Sequence, residues 1–344
     1  MSDRKPLVSV IIASRNCKHF LKRNLDSVLK ENGSFEVILV DDCSSDGTTD
    51  FVQKRYGAHD NVSVISLSIH SGVAKARNIG AIKAKGKYLF FLDSDTKVSP
   101  GWVKTIHSFF TKHPKIGLAQ AKILTMNTNK YDYAGDYMGP FGFLIERARS
   151  AEDTGQFDEA SYIFSGKSAA MIVRKDVFKK VKGFDEDYTI FWEDTDLAWR
   201  VWLEGYEVFF LPQVTVWHAY GTREKDGKMY VSNRVEFHGC KNNLSSLVKN
   251  LSLKHLLTVL PVNFACWTTL GFLSLIKLNL RRGIEIFAGL GWFVLHFPLI
   301  LKKRKAIQSV RKVRDEVLFG NVGASKELTY YIGKGLAYLQ NKPF

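Results

Sequence analysis

The chain has 344 residues, 45% of them hydrophobic and 24% charged, which excludes a low-complexity or disordered chain and leaves room for one large domain plus an appendage. Its formal charge of +15 is unevenly placed: from Lys241 onward there are 16 Lys/Arg against 4 Asp/Glu, so +12 of it lies in the C-terminal part. Basic residues flanking apolar runs fit an anionic membrane surface, and without interleaved exposed aromatics they speak against nucleic acid as a partner.

Cys17, Cys43, Cys240 and Cys266 show no CxxC or Cys/His ligand spacing, so a disulfide framework is not expected and a reducing, cytosolic setting is. The N-terminus, MSDRKPLVSVII, has no apolar stretch followed by a small-residue cleavage site; Leu7 to Ile12 reads as a first strand, and nothing there exports the chain.

In chain order, strand-like runs alternate with helical patterns: LVSVIIA (7–13), a helix around 20–30, EVILVDD (36–42), a helix around 48–56, VSVISL (62–67), a helix over 74–83, then YLFFL (88–92). This rhythm predicts an α/β fold, a Rossmann-like, mostly parallel sheet with flanking helices. Ligands of such sheets bind beyond the carboxyl ends of the strands. The polar clusters Ser14-Arg15-Asn16, Asp41 to Gly47, and Asp93-Ser94-Asp95 fall at those ends. Residues 97–240 are more mixed, with Gly/aromatic segments at 134–143 and 164–173. Gly166-Lys167-Ser168 lacks the glycine of a P-loop five positions earlier, where Ser161 stands, and no GxGxxG follows a strand, so a P-loop and a dinucleotide site are both set aside.

After Lys249 the character changes. LLTVLPVNFACWTTLGFLSLI (256–276) is 21 residues without a formal charge, enough to cross a hydrocarbon core of about 30 Å. IFAGLGWFVLHFPLIL (286–301) is 16 residues and ends at Lys302-Lys303-Arg304-Lys305, short for a span and open to a tilted, re-entrant or interfacial reading. Segments 306–319 and 326–339 read as amphipathic surface helices. The domains expected are therefore 1–240, catalytic, and 241–344, membrane-associated, with a greasy hairpin packed on the first domain as the alternative. If both apolar segments cross, the two ends share a side, and the flanking Lys/Arg put that side in the cytoplasm.

Four constellations carry chemistry. Asp42 ends the second strand, where a carboxylate can accept hydrogen bonds from a nucleobase; Arg77 and Asn78 stand at a helix start, a grip for phosphate or ribose. Asp93 and Asp95 follow the fourth strand, and Trp192-Glu193-Asp194 precede a helix that leads to a strand ending at His218. Singly, each has a plain reading: a turn residue, a solvated arginine, a helix N-terminal acid pair, a satisfied histidine.

Together, VSVIIASRN, EVILVDDCSSDGT, SGVAKARNIG, YLFFLDSDT and GFDEDYTIFWEDTDLAWRVWLEGYEVFFLPQVTVWH form an ordered series. It resembles the family 2 glycosyltransferases of GT-A fold, in particular the membrane-associated rhamnosyl- and mannosyltransferases that act on lipid-linked glycans. The resemblance implies that Ala13, Arg15 and Asp42 line a nucleoside pocket with Arg77 beside it, and that Asp93 meets the ribose or the metal shell. It further implies that Asp95 and His218 bind a divalent cation, Mn²⁺ or Mg²⁺, with the imidazole favouring Mn²⁺, and that Asp194 is a general base. Ala13 and Arg15 replace the Thr/Tyr often found in the family, leaving the nucleobase open.

The implied reaction moves a hexose with inversion from a nucleoside-diphosphate sugar, by family association GDP-mannose, to a hydroxyl of a lipid-linked polyprenyl or dolichyl glycan at the cytoplasmic membrane face. A lipid phosphate is already ionised and needs no base, so a base at Asp194 favours the glycan hydroxyl; a polyprenyl-phosphate sugar synthase, which differs in its acceptor, is the first alternative. A UDP-sugar-dependent transferase and a non-catalytic nucleotide-sugar-binding membrane module are the others. Glu193, Trp192, Arg223, Arg234 and Lys241 are candidates for acceptor or lipid-phosphate contact. The sequence leaves the oligomeric state open.

Overall fold

The computed structural model describes residues 5–219, 234–326 and 328–339. The chain divides into two compact units, Met1–Asp136 with Glu146–Tyr230, and Tyr137–Ile145 with Val231–Phe344.

The first unit opens with β1 (Val8–Ser14), α1 (Lys18–Val28), β2 (Phe35–Asp41), α2 (Thr48–Tyr56), β3 (Val62–Ser66), α3 (Val73–Lys83) and β4 (Tyr88–Asp93). β1 and β4 are apolar on both faces because helices cover both, which is why they read as continuous runs. α3 lies close on the sheet at Gly80, where a Cβ would come within 2.6 Å of the Ile11 side chain.

Next come β5 (Thr96–Val98), α4 (Trp102–Lys112), β6 (Ile116–Thr125) and β7 (Tyr131–Tyr133), then the paired β8 (Asp136–Met138) and β9 (Leu144–Glu146). They are followed by β10 (Ser161–Tyr162), β11 (Ala170–Arg174), α5 (Lys175–Lys180), α6 (Glu193–Leu203) and β12 (Glu207–His218). The main sheet runs β10-β12-β6-β11-β4-β1-β2-β3, with β5 also on β12 and β7 on β6. The strands β3-β2-β1-β4 are parallel, whereas β11 is antiparallel to both β4 and β6. The sheet is mixed, with its longest pairings, β12 on β6 and β1 on β2, parallel, as expected of a mostly parallel sheet with flanking helices. The connection from β6 to β11 carries the short strands β7 to β10 and no helix, and β11 returns antiparallel to β6.

β12 parallels β6 with a register shift between Leu211 and Thr215, where Pro212, lacking an N–H, could not complete the ladder. The strand then continues to His218, opposite Thr125 on one side and Thr96 on the other.

The second unit joins most of the β8-β9 pair to the helices α7 (Val235–Asn250), α8 (Leu253–Ile276), α9 (Leu280–Leu295), α10 (Phe297–Ser309), α11 (Asp315–Val322) and α12 (Leu328–Leu339). α7 is its centre, buried continuously from Cys240 to Asn250. Asn243 accepts from Trp267 Nε1 at 2.9 Å and donates to the Gly142 carbonyl at 2.9 Å.

α8 is long and apolar enough to cross a membrane. The second apolar run is not one helix: α9 and α10 bend by 64° at His296, because Pro298 sits in the first turn of a new helix that carries on through Lys302 to Lys305. The amphipathic helix expected over 306–319 is likewise divided, since Arg311 folds back to the Val313 carbonyl and Asp315 and turns the chain before α11.

Candidate active site

Asp93 ends β4 in the centre of the sheet, and after a two-residue turn β5 crosses to pair antiparallel with β12, placing Thr96 opposite His218. That hop carries the Asp-Ser-Asp turn to the carboxyl end of β12. His218 Nε2 lies 3.3 Å from Asp95 Oδ1 and 4.0 Å from Asp93 Oδ2, and one ligand atom from each of the three falls within 4.8 Å of the others. The turn is held from below by Asn24 of α1, whose amide donates to the Asp93 carbonyl and to both oxygens of Thr96 at 3.0 to 3.2 Å.

On its other edge, His218 Nδ1 is 2.8 Å from Asp132 Oδ2. Burial works against a charge on this imidazole, yet its hydrogen bonds to Asp132 and Asp95 outweigh it and push His218 up to about 10. The carboxylates are thus arranged around a positive charge at Nε2. Two carboxylate oxygens and an imidazole nitrogen oriented by a carboxylate behind it are a donor set that fits a divalent cation.

Glu193 and Asp194 begin α6. Phe191 and Trp192 before them both adopt left-handed backbone, φ 64° and 69°, a conformation that costs free energy in residues with side chains and turns the acid pair inward. Trp192, half-buried, caps the helix through its carbonyl, which takes the Asp196 N–H at 2.8 Å. Asp194 accepts from the Ser168 and Thr195 backbone N–H groups at 3.2 and 2.8 Å. Burial still raises its carboxyl above the ordinary range, with those N–H groups and Arg77 pulling the other way. Burial, then the adjacent Asp194 charge, push Glu193 up to about 7.

Arg77, expected beside the nucleoside, is 3% exposed. It donates to Glu193 Oε1 at 2.9 Å and to Asp93 Oδ1 at 2.7 Å, joining the acid pair on α6 to the aspartate at the end of β4. Asp42 is also buried and engaged: it accepts from the Ser71 and Gly72 N–H groups at 2.7 and 2.9 Å and meets His70 Nδ1 at 2.8 Å. It ties the end of β2 to the loop that starts α3, where Gly72 takes φ 87°. Ala13 is half-buried between Val40 and Asp93 on neighbouring strands, and Arg15 is exposed just beyond.

In the second unit Arg234 is exposed at the start of α7, stacked 3.8 Å over Phe237, whereas Lys241 is buried, bonded to Asn242 Oδ1 at 2.7 Å and 4.3 Å from the Trp292 ring. Arg223 lies outside the described residues.

Sequence reasoning missed Asp132, Asn24, Ser168 and His70. Asp132 carried no signal, standing in YDYAG between aromatics as one acid among many; Asn24 sits mid-helix, where a polar residue on the buried face was the only clue.

A mixed α/β sheet whose fourth strand delivers Asp93 and Asp95 to a histidine at the end of its last strand is a GT-A-like fold. The chain belongs to glycosyl transferase family 2, whose family model matches residues 9–182; residues 150–224 also match the N-terminal domain of galactosyltransferase.

Among curated relatives, it is 43% identical over 98 residues to the putative teichuronic acid biosynthesis glycosyltransferase TuaG of Bacillus subtilis, covering 28% of this chain and 39% of that protein. It is 29% identical over 228 residues to the pre-mycofactocin glycosyltransferase of Mycobacterium tuberculosis, covering 64% of this chain and 44% of that protein. The chain thus spans less than half the length of these two relatives. Among solved structures, S. aureus TarS in complex with UDP-GlcNAc superposes with a TM-score of 0.60 at 20% identity, over 98% of this chain and 93% of that one. The mannosyltransferase PcManGT from Pyrobaculum calidifontis, with GDP-Man and Mn²⁺, gives 0.51 at 14% identity, over 85% and 88%.

Proposed function

We propose that the chain is a metal-dependent, inverting glycosyltransferase that moves a hexose from a nucleoside-diphosphate sugar to a hydroxyl of a lipid-linked glycan. The observation that carries this reading is the joint placement of Asp93, Asp95 and His218 within 4.8 Å, with Arg77 tying Asp93 to the Glu193-Asp194 pair. A divalent cation held by Asp95, His218 and Asp93 would supply the counter-charge for the departing diphosphate.

Asp194 takes the proton of the acceptor hydroxyl as its oxygen bonds to the anomeric carbon and the bond from that carbon to the diphosphate oxygen breaks, the electron pair leaving with the diphosphate. Attack opposite the leaving group inverts the anomeric centre. Burial makes Asp194 a better base than an exposed carboxylate, and the Ser168 N–H keeps it aimed. Arg77 offsets the neighbouring carboxylates and draws the Asp194 carboxyl down, which keeps Asp194 ionised and ready to take a proton in a crowded acidic site. Ala13, Arg15 and the loop held by Asp42 form the nucleoside side. A hydroxyl acceptor needs such a base, which favours this reading over a polyprenyl-phosphate sugar synthase.

The membrane part of the reading, with residues 1–240 for chemistry and 241–344 for attachment, rests on the polarity of α8. Its buried positions include Asn263, Trp267, Gly271 and Ser274, while Leu253, Leu257, Val262, Phe272, Leu273 and Ile276 are exposed. A helix whose polar residues face inward and apolar ones outward is built for lipid rather than water. Exposed Lys302 and Lys305 on α10 are placed for anionic headgroups, which supports the cytoplasmic leaflet.

Mannose from GDP-mannose stands beside a uridine donor here: the fold neighbours named above were solved with GDP-Man and with UDP-GlcNAc. Titration of the full chain with UDP, GDP and dTDP, with and without Mn²⁺, tests the reading. One of the three should bind tightly only with the metal, and failure of all three would sink it.

A further inference from the structure

α8 turns an apolar face outward along its whole length, from Leu253 to Ile276. Such a face can meet lipid in two ways, by crossing the bilayer or by lying flat in one leaflet. The helices packed against α8 favour the second.

α7 lies beside α8, α9 and α10 along its length. Glu236 in its first turn accepts from Arg282 of α9 at 3.1 Å, and a Cβ on Gly239 would touch the Trp267 ring of α8 at 3.8 Å. Lys241 sits 4.3 Å from the Trp292 ring of α9, and the Val248 and Leu251 carbonyls accept from Arg304 of α10. α7 is itself no membrane helix. Lys241 at 3% exposure and Lys249 at 1% are buried in it, with Asn242, Asn243 and Asn250. If α8 crossed the hydrocarbon along the bilayer normal, α7 would be drawn to the same depth and would carry Lys241 and Lys249 into a medium where charged side chains are costly.

The ends of α8 point the same way. Lys254 is exposed at its start, and Lys277 and Arg281 are exposed just past its end. Lys and Arg beside an apolar segment favour the cytoplasmic side. A span would carry one of these two basic groups across, whereas a helix lying flat keeps both on one side. α9, with 16 residues, is about 24 Å long at about 1.5 Å per residue, short of a hydrocarbon core of about 30 Å. α10 then leaves it at 64°, with Leu299 and Leu301 exposed beside Lys302 and Lys305.

We infer that the second unit is monotopic: α8 lies in the plane of the cytoplasmic leaflet with its outward face among the acyl chains, α10 offers its lysines to anionic headgroups, and neither α8 nor α9 reaches the far side. The inference rests on the membrane part of the proposed reading and adds to it the depth of insertion.

The test uses the full chain expressed in a bacterium, as Lys254→Cys and separately as Lys277→Cys. Both lysines are exposed, so neither change disturbs packing. A membrane-impermeant maleimide is applied to intact spheroplasts and to inverted inner-membrane vesicles, and labelled peptides are read by mass spectrometry. Cys43, exposed in the first unit, reports the cytoplasmic side. The chain should sediment with the membranes, and both new thiols should label together with Cys43 in inverted vesicles and not in spheroplasts. Label at either new thiol in spheroplasts would show that α8 crosses, overturning the flat placement while membrane attachment stands. A new thiol silent in both preparations would put that end of α8 inside the hydrocarbon and overturn the flat placement as well. A chain found wholly in the soluble fraction, its apolar face covered by a second copy, would sink the membrane part of the proposed reading and the inference with it.

Discussion

His218 and Asp132, 86 residues apart, meet through Nδ1 and Oδ2 at 2.8 Å, and this contact leaves Nε2 as the nitrogen that faces Asp95. The carboxylate fixes both the tautomer and the plane of the ring. Asp132→Asn keeps the shape and removes the charge, so affinity for Mn²⁺ should fall about 10- to 100-fold, read by metal titration of nucleotide binding. Unchanged metal affinity would make the pair merely structural.

Arg77 links the acid pair on α6 to the end of β4 through its bonds to Glu193 and Asp93. Replacing it by Met leaves Glu193 and Asp93 facing each other without a counter-charge, and a broken buried pair costs about 3 to 5 kcal/mol. Denaturant unfolding should show that loss, and a change below about 1 kcal/mol would mean that the carboxylates simply take up protons.

Asp194→Asn should lower transfer by about 10² to 10⁴ while metal-dependent nucleotide binding stays within about twofold. Equal loss of both would move Asp194 out of the role of base.

The raised acids predict a pH dependence of stability. Glu193 holds its proton to about 7 when folded against an ordinary value of 4.5, so the folded chain binds more protons than the unfolded one in between. Its contribution is fully present below 4.5 and is lost as pH rises through 7. Asp136, buried and also at about 7, adds a slope of the same sign. Melting temperature should therefore decline across this window, and Glu193→Gln should flatten the decline without abolishing it. An equally steep decline in the variant would refute the assignment.

For the second unit, two substitutions on opposite faces of α8 separate folding from membrane binding. Trp267→Ala removes a buried ring and its bond to Asn243, and should destabilise by about 3 to 5 kcal/mol. Phe272→Asp, on the exposed face, should leave the fold intact and reduce flotation with anionic vesicles. Flotation unchanged by Phe272→Asp together with Leu257→Asp would argue that α8 does not enter lipid.

How much of this was legible beforehand follows from what is local. Apolar runs of strand length, the helical patterns between them, and carboxylates at strand ends are decided by residues within a few positions of one another. The strands and helices from β1 to β4 accordingly lie within two residues or so of their expected places. The charge-free run that became α8 was legible for the same reason.

Partner choice was not. Nothing within β5 says that it will leave β4 for β12, yet that pairing of Thr96 with His218 brings Asp95 to the imidazole. Likewise Arg77, read as a grip for phosphate or ribose, finds Glu193 116 residues away, and Asp132 finds His218, because burial forces each charge onto whatever opposite charge the packed fold presents. The sequence by itself determined the α/β alternation, the acidic strand ends and the apolar, basic-flanked C-terminal part. Only the tertiary structure decided the sheet's mixed direction, which carboxylates share a histidine, and that α8 turns its polar side inward, since each depends on contacts between segments that no local pattern encodes.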